Sequence, residues 1–188
     1  EGARPLLVEI QALTSRTVPL LSLLSAFVFT VQMFNVPLPG GTTGHAVGAT
    51  LIAIVLGPWA AIIGVTVVLV IQALFFGDGG LLALGANVFN MAVVASFVGF
   101  GAYRLFSLGA GPSSARRVVA AALAGYLAMQ AAALVTAVEL GLQPLLFRAA
   151  DGTPLYAPYG LEIAIPAMMG PHLLVGGLVE AVITGGVI

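Results

Sequence analysis

Six apolar stretches, at about residues 18–34, 45–56, 59–76, 81–108, 118–140 and 163–188, fill most of this chain with few charges among them. A helix needs roughly 20 apolar residues to cross a bilayer. Lipid offers no partner to backbone N–H and C=O groups, so every spanning stretch has to be helical. The expected architecture is an all-α, polytopic transmembrane helical bundle of about six spans. It forms one transmembrane domain over 18–188, preceded by an interfacial stretch at 1–17 that carries Arg4, Glu9 and Arg16.

Composition closes the alternatives. Charged residues are 7% of the chain against 60% hydrophobic, whereas a soluble domain carries about 25% charged residues to cover its surface. Lipid must therefore supply the cover. A net charge of −1 leaves no basic face for nucleic acid. The absence of cysteine excludes disulfides and thiolate ligands, so any metal must be held by nitrogen and oxygen. All six basic residues are arginine, and a chain without lysine has no Walker-type phosphate loop and no ATP site of that kind. No nucleophile elbow or zinc-protease motif is present, and no enzyme activity is expected.

Glycine and proline mark the ends of the stretches: Asn35 to Gly41, Gly57-Pro58, Gly77 to Gly80, Gly109 to Ser114, and Asp151 to Pro154. Arg16 and the cluster Arg104, Arg116 and Arg117 fall on one side of a six-span arrangement, and Arg148 falls on the other. That bias points the arginine-rich side to the cytoplasm and the loop before His45 outward. The second stretch, at 12 residues, would span only about 18 Å as a helix. The glycine-rich run Gly40-Gly41-Thr42-Thr43-Gly44 before it is therefore expected to be re-entrant, a conformation tolerated only where it is buried in protein or lines a cavity.

Candidate chemistry is sparse. His45 follows that loop, as either a metal ligand or an interfacial anchor, and Thr42 or Thr43 is placed to cap the helix after it. His172 and Glu180 lie eight residues apart near one face of the last stretch, where an internal polar pair is the expected arrangement. Gln72, Asn87 and Asn90 are placed either to support the His45 loop or to cross-link helices. Small-residue stripes Ser22–Ala26–Thr30 and Ala124–Ala128–Ala132 allow close helix approach, within the chain or to a partner subunit.

Three ordered motifs carry a resemblance: Phe34-Asn35-Val36-Pro37-Leu38-Pro39-Gly40-Gly41-Thr42-Thr43-Gly44-His45, then Leu56-Gly57-Pro58-Trp59-Ala60, then Gln72 to Leu81 followed by Leu84 to Ala92. Together they resemble the substrate-binding membrane subunit of nickel and cobalt energy-coupling-factor transporters. The proline- and glycine-rich loop is similar to the nickel branch. The resemblance implies capture of Ni2+ or Co2+ as transported substrate at a bacterial plasma membrane. It also implies a second transmembrane coupling subunit and cytoplasmic ATPase subunits as partners. In such proteins an N-terminal methionine and histidine join the loop histidine, matched here by His45, in holding the ion. Glu1-Gly2 does not match that pair, and a first helix is expected upstream of Glu1. A vitamin-capturing subunit of the same transporter class and a structural membrane subunit without ligand are the competing expectations.

Overall fold

The computed structural model describes residues 17–38 and 42–188. Among them six helices form: α1 (Thr17–Gln32), α2 (Ala49–Leu56), α3 (Pro58–Phe76), α4 (Leu84–Phe106), α5 (Ala115–Leu146) and α6 (Leu161–Val187). Strands β1 (Val36–Leu38) and β2 (Thr42–Gly44) make one antiparallel hairpin with Pro37 opposite Thr43. The all-α membrane bundle is the fold observed, and α3 to α6 are each long and apolar enough to cross a bilayer. The interfacial stretch, apart from Thr17, lies outside the described residues, as does the loop tip at 39–41.

The ends of the helices follow local chemistry. Pro58 opens α3, where a missing N–H costs nothing. Gly77, at φ +68°, closes it. Ser114 caps α5 by accepting from the Arg116 N–H at 3.2 Å. α5 continues beyond the expected residue 140, through Pro144, to Leu146.

The second apolar stretch departs from expectation. Its helix has only 8 residues, about 12 Å of rise, and residues 45–48 are irregular. Gly48 is the N-cap of α2 at φ +70°, a conformation few other residues adopt. A side chain there would also meet Val28 Cγ2 at 2.7 Å. The cap expected from Thr42 or Thr43 is therefore not made, because both belong to β2.

α5 runs through the centre of the bundle, between α4 and α6. Ala124, Ala128 and Ala132 are buried along it, so of the two roles expected for this stripe it serves internal contact. Gly125 shows how close the approach is, since a Cβ there would lie 2.8 Å from Thr184 Oγ1 and 3.0 Å from the Glu180 carbonyl. Ser22, Ala26 and Thr30, by contrast, are exposed along α1. The Ser22 and Thr30 hydroxyls donate to the carbonyls of Val18 and Ala26 one turn back, so the stripe presents a satisfied surface.

Candidate functional site

A cavity of about 530 Å³ opens between β2, α3, α4, α5 and α6, and both histidines line it. Its polar lining is built around three wide helical turns. Gln72–Phe76 in α3, Val88–Val94 in α4 and His172–Gly176 in α6 each form a π turn. Such turns insert a residue into the helical ladder and re-aim side chains, often at functional sites. Gln72, Asn90 and His172, one from each turn, are buried on the cavity wall. In α6 the turn directly follows Pro171, which has no N–H to give and whose ring crowds the preceding turn. Carbonyl groups there find partners on α5: Gln130 Nε2 donates to the His172 carbonyl at 3.0 Å, and the Tyr126 hydroxyl donates to that of Leu173 at 3.1 Å.

His45 stands immediately after β2. Its Nδ1 lies 2.8 Å from the Ala46 carbonyl. A carbonyl only accepts, so Nδ1 carries the proton and the neutral ring keeps its lone pair on Nε2. His172 is arranged in the same way, with Nδ1 2.7 Å from the Met168 carbonyl.

The residues after His45 are held from two directions. The Val47 N–H donates to Glu180 Oε2 at 2.7 Å, and the Gly48 N–H donates to Oε1 at 2.9 Å. Gln32 Nε2 on α1 donates to the Val47 carbonyl at 2.8 Å. Irregular backbone in a dry interior needs such acceptors and donors because no water supplies them. The expected pairing of His172 with Glu180 is thereby corrected. Each has its own backbone partners, Met168 for one and Val47 with Gly48 for the other.

Asn87 and Asn90 share the cavity wall but do not bond the His45 loop. Asn87 Nδ2 donates to the Gly79 carbonyl at 3.2 Å and steadies the α3–α4 connection. Asn90 Nδ2 donates to Glu139 Oε2 at 2.6 Å and to Thr136 Oγ1 at 3.0 Å, which ties α4 to α5. Thr43 also lines the cavity. Sequence reasoning passed over Gln32 and Glu139. The available signal was their rarity, since each is a long polar side chain within or at the end of an apolar stretch. Among the described residues, no three histidine, aspartate or glutamate side chains gather closely enough to hold a metal ion.

The family described as "Cobalt uptake substrate-specific transmembrane region" matches residues 5–188. The fused nickel transport protein NikMN of Rhodobacter capsulatus is 51% identical over 94% of this chain and 51% of its own length. The probable fused nickel transport protein LarMN of Lactiplantibacillus plantarum is 53% identical over 89% of this chain and 50% of its own. This chain thus spans about half the length of these curated relatives. Among solved structures, a truncated transition metal transporter superposes with a TM-score of 0.89 at 59% identity, covering 97% of this chain and 85% of that one.

Proposed function

The chain belongs to the family of cobalt uptake substrate-specific transmembrane regions, and from that premise we propose that it captures Ni2+, or Co2+, as the membrane subunit of an energy-coupling-factor importer. The observation that carries the reading is His45. It is an imidazole with its lone pair left on Nε2, facing a cavity inside a membrane bundle, behind a loop whose sequence is similar to the nickel branch. Neutral imidazole is a good ligand for both ions.

One imidazole does not make a tight site. On this reading His45 is one ligand of several, in a cavity far larger than one ion. A second transmembrane subunit and cytoplasmic ATPases supply the energy, with the ion taken up from outside. The cavity does little for the vitamin alternative, because its aromatic lining consists of Phe147 and Tyr156 among the described residues.

Calorimetric titration of Ni2+ and Co2+ into the full-length protein tests the proposal. Tight binding that disappears in His45→Ala supports it. Full-strength binding without His45 would remove that residue from the ligand set.

A further inference from the structure

We propose that Glu180 is a positioning residue for the metal ligand, fixing His45 by binding the two backbone N–H groups that follow it; this rests on the reading of His45 as a ligand.

The geometry is unusual for a residue with only a bundle-stabilising role. Glu180 is 1% exposed in a membrane helix, and its carboxylate lies against two N–H groups at the start of α2, 133 and 132 positions earlier in the chain. Successive N–H groups at a helix start, one of them on a left-handed glycine, form a concave anion site. Here the protein's own side chain fills it. Gln32 grips the same Val47 peptide from the opposite side, while its Oε1 is buried with no partner. A carboxylate and an unpartnered amide oxygen are both costly to bury. Two such features converge on one peptide, and that peptide is two residues from His45. Both set where the imidazole stands. Groups that orient a metal ligand without touching the ion affect affinity by roughly 10- to 100-fold.

The experiment compares Glu180→Gln, Gln32→Met, His45→Ala and Thr184→Ala in the full-length protein. Thr184 is a control: it is buried on α6 one turn from Glu180, where it packs against Gly125 of α5. Ni2+ affinity is read by calorimetry, ligand geometry by the visible absorption of bound Co2+, and stability by melting temperature. The amide introduced by Glu180→Gln accepts one N–H but opposes the other with its own NH2. The expected result is a loss of roughly 10- to 100-fold in affinity with an altered Co2+ spectrum in Glu180→Gln, and neither change in Thr184→Ala. Should Glu180→Gln not fold, Gln32→Met reads the same clamp from the other side, and weakened binding there carries the proposal. Wild-type affinity and spectrum in the folded clamp variant, with binding still lost in His45→Ala, would overturn the positioning role and leave the His45 reading standing. So would a Thr184→Ala protein that loses affinity as much as Glu180→Gln at equal melting temperature. Binding unaffected by His45→Ala would instead overturn the reading itself, and the clamp's role with it.

Discussion

His45 and His172 offer one cavity the same atom. Each ring holds Nδ1 near a backbone carbonyl, Ala46 at 2.8 Å and Met168 at 2.7 Å, and so leaves Nε2 as the free acceptor. They differ in setting. His45 sits on irregular backbone beside the hairpin, and His172 sits inside a helix among apolar neighbours.

That difference predicts unequal effects on metal binding. His45→Ala should abolish tight Ni2+ binding in the full-length protein. His172→Ala should reduce it far less, since its main bond is to its own helix. Equal losses in the two variants, measured by calorimetry, would place both rings around the ion.

Binding should depend on pH through the His45 ring, because a protonated imidazole cannot ligate. The ordinary histidine value is about 6.5. Above the histidine range the ring is neutral and competent, so affinity should fall as the pH drops through about 6.5. Titrations across that range check the sign. An affinity already lost near neutrality would place the controlling group elsewhere.

The two small-residue stripes should now separate. Ala128 is 1% exposed at the centre of the bundle, so Ala128→Leu should overpack it and cost about 1–3 kcal/mol of stability. Ala26 is exposed on α1, so Ala26→Leu should leave the melting temperature unchanged. We propose that the α1 face meets the coupling subunit. Reduced co-purification of that subunit with the Ala26→Leu protein is the expected result, and unchanged co-purification returns α1 to lipid.

Orientation can be read independently. Cysteines placed singly at Ser113 and Gly79 should differ in labelling by an impermeant reagent applied to intact cells. Gly79, in the α3–α4 connection, should label, and Ser113, in the arginine-flanked α4–α5 connection, should not. The opposite pattern would invert the proposed topology.

Residence in a bilayer, helical structure and most helix ends were legible along the chain alone. These properties are local: hydropathy is judged against lipid residue by residue, and glycine and proline break helices at the residues they occupy. The same local signal failed at 45–48, where a run that reads as apolar helix is held open by Gly48 and by distant bonds. The motif before His45 was also legible, because it is contiguous. Which polar groups meet became visible only in the folded bundle. Spacing on one helix suggested that Glu180 faces His172, yet its carboxylate belongs to Val47 and Gly48, 133 and 132 positions away. A buried carboxylate goes to whichever unsatisfied N–H groups the fold delivers, and spacing along one helix does not reveal backbone N–H groups left open elsewhere. The alanine stripe on α5 could face a partner or the interior equally well by sequence. The neighbours α4 and α6, closing on it from both sides, made it interior.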